Sequence, residues 1–99
     1  MYKKIISEHD KKHFGTKTII YKGDENYFII IDGRDGKDYF FVDLELTNLY
    51  PVDTYMRNIH YEYDANDDCD EMNIHFDIPL SKYGYSSCPQ WIKSLLEGN

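Results

Sequence analysis

The 99-residue chain is poor in the features that usually announce a function. It has only two cysteines, Cys69 and Cys88. They allow one bridge at most, too few for the stapled scaffold of a small secreted domain, and they read as free thiols. The longest purely apolar run is the four residues Phe28 to Ile31, against about 20 for a membrane-spanning helix. Charges at Lys3, Lys4 and Glu8 return before any leader-like apolar segment develops. The expectation is a cytoplasmic protein with no membrane segment. Internal repeats and low-complexity linkers are also missing. A chain of this length buries about 60–65% of the surface it exposes when unfolded, enough for one modest core. One domain over residues 1–99 is expected.

Positive charge is scarce. Lysine and arginine number 11 against 18 aspartates and glutamates, a net charge of −7. The imbalance is also uneven. Residues 1–37 carry +2 and residues 38–99 carry −9, and between Asp43 and Asp77 ten acids face one base, Arg57. Such a stretch repels a phosphate backbone. Direct nucleic-acid binding is disfavoured unless Lys3, Lys4, Lys11, Lys12, Lys17 and Lys22 form a separate patch. A basic protein partner is favoured instead. Recognisable catalytic motifs are missing too. Ser86, Ser87 and Cys88 lie in no nucleophile elbow, although a helix start just after Cys88 would favour its thiolate. The segment Asp32 to Gly36 lacks the glycine spacing and the Lys-Ser/Thr of a phosphate loop.

What is present is a core. Hydrophobic residues make up 41% and aromatics 16%, including ten tyrosines, a composition that disordered chains lack. Strand-like runs rich in Ile, Phe, Tyr and Thr occupy Lys3–Ser7, Thr16–Lys22, Tyr27–Ile31, Asp38–Leu46, Thr54–Tyr63 and Met72–Ile78. Residues 8–15 read as a polar loop, and 47–53, with Pro51, as a connection. Turn signals at 23–26 and 32–37 allow a register test. Folding at these turns sets Ile20 opposite Ile29 and Phe40, and Tyr21 opposite Phe28 and Phe41. One face then holds Ile20, Ile29, Phe40, Val42 and Leu44, and the other Ile19, Tyr21, Phe28, Ile30, Tyr39 and Phe41. Both faces are apolar, so both must be covered. A C-terminal helix supplies one cover: Ser86 or Ser87 would cap it, Pro89 would sit in its first turn, and Gly98 would stop it. Trp91, Ile92, Leu95 and Leu96 would form its buried stripe. Curl of the sheet, or a partner, must cover the second face. The expected fold is α+β: a curved antiparallel meander of five to six strands with one short C-terminal helix packed on it. A closed small barrel or sandwich is the alternative.

Two side-chain groupings stand out. Residues 64–71 (DANDDCDE) place carboxylates and an amide at alternate positions, as in the first half of a calcium-binding EF-hand loop. The match then fails, with Cys69 where glycine is required and His75 where a bidentate glutamate is required. Five carboxylates in eight residues repel one another, a state that a cationic partner relieves. The second grouping comes from folding 54–63 on 72–78. This pairs Ile59 with Phe76, Tyr61 with Ile74 and Tyr63 with Met72, and it sets His60 opposite His75. Cross-strand neighbours of this kind have Cβ atoms ~5 Å apart. The bland reading is the solvent side of an amphipathic hairpin; no metal or cofactor is assigned.

Acidic residues and tyrosines (Tyr39, Tyr50, Tyr55, Tyr61, Tyr63, Tyr83, Tyr85) on a small β-scaffold suit occupation of a basic groove. The expected function is therefore non-enzymatic: an acidic inhibitor, in concrete form an immunity protein that blocks a basic, nuclease-type toxin, acting as a monomer or weak dimer. The residues expected to bind are Asp64, Asp67, Asp68, Asp70 and Glu71 with Tyr63, and a second group of Asp43, Glu45 and Asp53. Three other readings stand beside it: a phage anti-defence inhibitor, a small metal or acid–base enzyme using His60 and His75, and an assembly subunit docking through an apolar sheet face.

Overall fold

The computed structural model describes residues 1–10, 16–33, 36–52, 59–62, 70–76, 82 and 84–98. Eight strands are defined: β1 (Tyr2–Asp10), β2 (Thr16–Lys22), β3 (Asn26–Gly33), β4 (Gly36–Asp43), β5 (Asn48–Val52), β6 (Ile59–Glu62), β7 (Glu71–Phe76) and the two-residue β8 (Ser86–Ser87). One helix among the described residues, α1 (Gln90–Glu97), follows. The strands form one sheet in the order β6-β7-β1-β2-β3-β4-β5-β8, antiparallel at every pairing. An antiparallel sheet with one short C-terminal helix is the expected class, but the strands outnumber the five to six expected.

The central register follows the turns. Ile20 pairs with Ile29, Ile29 with Phe40, and Phe28 with Phe41. Alternation then separates two clusters. Ile19, Tyr21, Phe28, Ile30, Tyr39 and Phe41 share one face with Tyr2 and Met72. Ile20, Ile29 and Val42 share the other with Ile6, Leu49, Cys88 and Ile92. Strand β1 serves both faces because its register shifts between Lys4 and Ile6. Without that bulge Ile6 would lie on the same side as Tyr2; with it, Tyr2 faces the ring cluster and Ile6 the helix side. The half-exposed Ile5 is the extra residue.

Covalent reach forces the sheet to curl. Six residues, 53–58, join Val52 to Ile59, and seven extended steps span at most ~25 Å. In a flat sheet β5 and β6 would be six strand spacings apart, ~29 Å at ~4.8 Å each. Curling shortens the gap and wraps the ring cluster from both sides, with Tyr50 and Val52 of β5 and Ile74 of β7 packed around it. The second apolar face is thus closed by the chain itself. The central residues of both faces are buried.

Several local expectations need correction. Residues 8–10 continue β1 rather than opening a loop. The connection expected at 47–53 contains β5. Pro51 is tolerated there because β8 pairs only with Asn48 and Leu49, so the missing N–H costs no ladder bond to β8. Leu44 lies in the β4–β5 turn, and Leu46 packs on the helix-side cluster in its place. Neither Ser86 nor Ser87 caps the helix. Both pair with β5, and Pro89 is the N-cap, with no side-chain hydrogen bond. Ile92 is fully buried while Trp91 is 46% exposed. The seam runs through Cys88, Ile92, Leu95 and Leu96, spaced i, i+4, i+7 and i+8, which rotates Trp91 off it. Gly98 ends the helix by donating its N–H to the Ser94 carbonyl. Among the described residues no helix is long and apolar enough to cross a membrane.

Candidate functional site

Successive turns of a meander fall at alternate ends of its sheet. The turn after β2 and the turn after β4 therefore lie at the same end. The register adds the starts of β1 and β7 to that end, since Lys3 pairs with both Lys22 and Glu71. Six carboxylates collect there: Asp24, Glu25, Asp43, Glu45, Asp70 and Glu71. Three lysines, Lys3, Lys4 and Lys22, accompany them. At the other end of the central strands the described charges alternate, with Asp32 set between Lys17 and Lys37.

The acids at this end differ in what they are free to do. The Asp43 carboxylate accepts the backbone N–H groups of Thr47 and Asn48, at 2.9 and 2.8 Å. Its carbonyl accepts the Leu46 N–H at 3.0 Å. These bonds hold Leu46 at φ 60°, a left-handed conformation that a leucine adopts only under local constraint. Asp43 thus shapes the turn, and Glu45 is exposed at its tip. Asp70 lies 3.6 Å from the Lys4 ammonium, yet its side chain is 93% exposed. A pair so solvated contributes little to stability. The firmer tie is the Lys4 N–H donated to the Asp70 carbonyl at 2.8 Å. Glu71 is exposed, across from the exposed Lys3. The other expected binding residues, Asp53, Tyr63, Asp64, Asp67 and Asp68, lie outside the described residues.

Asp24 and Glu25 are additions to the sequence-based set. Both are exposed on the β2–β3 turn, where the Gly23 N–H bonds to the Asn26 carbonyl at 2.8 Å. The turn rests on Tyr2. A Cβ at Gly23 would come within 2.5 Å of the Tyr2 ring, so only glycine lets the ring and the backbone approach this closely. The Tyr2 hydroxyl donates to the Asn26 side-chain oxygen, and both residues are buried. Burial is the main cause that pushes the Tyr2 hydroxyl up to about 12. The Asn26 bond works against that rise, and the negative charges of Glu25 and Asp24 add to it. The acidic turn is therefore bonded to the ring core.

The remaining candidates divide. Cys88 is free and buried in the helix-side cluster, its Sγ 3.8 Å from the Pro89 carbonyl. Desolvation raises its thiol above the ordinary value, outweighing the Lys93 charge. This is the reverse of the activated thiolate that a neighbouring helix start suggests, so Cys88 is a core residue. Tyr39 also belongs to the core, stacked on Phe28 at 5.9 Å. Tyr50 and the exposed Tyr85 meet beside β5, with ring centroids 6.1 Å apart. Tyr61 lies in β6, while Tyr55, Tyr63 and Tyr83 are outside the described residues. His60 and His75 are direct register partners. Among the described residues, no three His, Cys, Asp or Glu side chains are grouped to hold a metal ion.

The acidic end thus presents a net negative charge on turns held by hydrogen bonds, an arrangement suited chemically to electrostatic docking. No protein-family model, curated protein or solved structure matches the chain.

Proposed function

We propose that the protein is a small acidic inhibitor that binds a basic protein, in concrete form an immunity protein that occupies the cleft of a nuclease-type toxin in the cytoplasm. The observation that carries this reading is the gathering of Asp24, Glu25, Glu45, Asp70 and Glu71 at one end of a sheet whose turns are fixed by Asp43, Gly23 and Tyr2. Carboxylates on a preorganised edge present a phosphate-like field without paying for loop ordering on association. A field of one sign accelerates encounter with an oppositely charged cleft and makes the on-rate fall with salt. Binding without turnover is all that this arrangement requires. A phage anti-defence role would use the same surface against a different basic enzyme.

The test begins at the neighbouring genes. Each is expressed with and without this protein. The immunity reading expects one neighbour whose product degrades nucleic acid and kills the host unless this protein is co-expressed. A variant carrying Asp24→Lys, Glu25→Lys and Glu45→Lys should keep its circular dichroism spectrum and lose protection. Full protection by that variant would remove the sheet end from the mechanism. Neighbours that are all harmless would remove the immunity role.

A further inference from the structure

A row of rings crosses the sheet and ends in the open. Tyr21 pairs with Phe28, Phe28 with Phe41, and Phe41 with Tyr50. The pairing of β8 on β5 sets Ser86 opposite Leu49. One further step sets Tyr85 opposite Tyr50, and the centroids of these two rings are 6.1 Å apart. Directly opposed side chains share a face, so five rings follow one another across the sheet. Tyr21, Phe28 and Phe41 are buried, Tyr50 is half-buried and Tyr85 is 66% exposed. A ring with most of its area in water adds little to the core and keeps that area for a partner. Backbone pairing does not extend this margin. Among the described residues β8 is the last strand and covers only Asn48 and Leu49, and the exposed Pro51 has no N–H to offer an added strand. The margin therefore presents side chains. It also adjoins the acidic end. Ser87 pairs with Asn48, whose N–H is held by the Asp43 carboxylate at 2.8 Å, and Tyr85 precedes Ser87 by two residues, about 7 Å along an extended chain.

We propose that Tyr85, backed by Tyr50, is the docking point for an arginine of the basic partner, whose guanidinium stacks on the exposed ring while the partner's other cations face the acidic end. The inference rests on the inhibitor reading and adds the chemistry of the contact. The negative field beside the ring draws a cation to it. The ring selects which cation: a guanidinium is planar and weakly hydrated and stacks on an aromatic face, whereas an ammonium is a compact, strongly hydrated charge that is satisfied by carboxylates alone. Tyr50 holds the ring of Tyr85 from behind, so less side-chain freedom is lost when the guanidinium arrives.

The experiment is a nuclear magnetic resonance titration of the full chain at low ionic strength with two end-blocked peptides, hexa-arginine and hexalysine. Both peptides should shift the amides of Asp24, Glu25 and Glu45. Only hexa-arginine should also shift those of Tyr50, Tyr85 and Ser86, and it should bind more tightly. Tyr85→Ala should keep the wild-type circular dichroism spectrum, because the ring is exposed. It should weaken hexa-arginine binding by about 2- to 5-fold, the scale of an exposed cation–π contact, and leave hexalysine binding unchanged. Tyr85→Phe retains the ring and should bind both peptides as the wild type does. Wild-type affinity of Tyr85→Ala for hexa-arginine would overturn the proposal, and so would equal losses for the two peptides; in either case binding of hexalysine at the acidic amides would leave the inhibitor reading standing. Failure of both peptides to bind the wild-type chain would overturn the two readings together.

Discussion

The two faces of the sheet are closed by different means. One is built from rings, Tyr2, Tyr21, Phe28, Tyr39 and Phe41, and the sheet wraps it by curling. The other is built from Ile6, Ile20, Ile29, Val42 and Leu49, and α1 is laid over it. Rings span wide gaps, so a concave surface can fill itself: Phe28 meets Phe41 at 4.8 Å and Tyr39 at 5.9 Å between centroids. Branched aliphatics reach less far and need an added element to exclude water. The ring face is thus integral to the sheet, whereas the aliphatic face depends on one short helix that is only marginal in isolation.

Substitutions can break that comparison, beginning with the largest effect. Phe41→Ala should cost about 3–5 kcal/mol in denaturant unfolding, because the fully buried ring contacts both Tyr2 and Phe28. Its near-ultraviolet aromatic signal should be lost with the stability. Ile92→Ala should cost about 2–4 kcal/mol and act differently. Hydrogen exchange should speed up in α1 first while amides of β3 and β4 stay protected. Equal acceleration in both places would mean that the two faces fold as one unit.

Tyr2→Phe tests the link between the ring face and the acidic end. It leaves Asn26 buried without its partner, at a cost of about 1–3 kcal/mol. It also changes the alkaline limb. The Tyr2 hydroxyl is about 12 in the folded chain against 10.0 when unfolded, so the unfolded chain loses this proton first. Stability from Tyr2 is complete below pH 10 and falls as pH rises toward 12. The Phe variant should lack that part of the decline in stability measured between these pH values. Trp91→Ala is the smallest effect, under about 0.5 kcal/mol for a side chain off the helix seam. A loss of several kcal/mol would return Trp91 to the core.

The central register was legible because three strands are joined by strong turn signals and each register step matches apolar with apolar, as at Ile20, Ile29 and Phe40. The same logic found the pairing of His60 with His75. Pro51 hid β5, since proline argues against a strand unless the edge it faces is known to be open. Tyr2 was hidden for another reason: its burial depends on Met72, its partner across β1 and β7, and on Gly23. Trp91 was misplaced because four apolar helix positions admit more than one seam, and only Cys88 chooses between them. At the acidic end, Asp70, Glu71 and Glu45 could be read as a charge excess. Asp24 and Glu25 belong with them through the alternation of turns in a meander, a signal available in the sequence. The bonding of Asp43 to its own turn was not, because an aspartate at a strand end looks the same whether it caps the chain or faces solvent.

The place of β1 in the sheet has a consequence for the growing chain on the ribosome. This strand emerges early, yet it is bordered by β2 on one side and by β7, made far later, on the other. Local hairpins can assemble β1 to β5 as they appear. Until Met72 and Ile74 have been synthesised, the rings of Phe28, Tyr39 and Phe41 lack part of their cover. The Ile20 and Ile29 side waits longer still, for Ile92 in an element made after every strand. Nascent chains stalled before residue 71 would therefore display both apolar surfaces at once, and they are the species that holdase chaperones should retain.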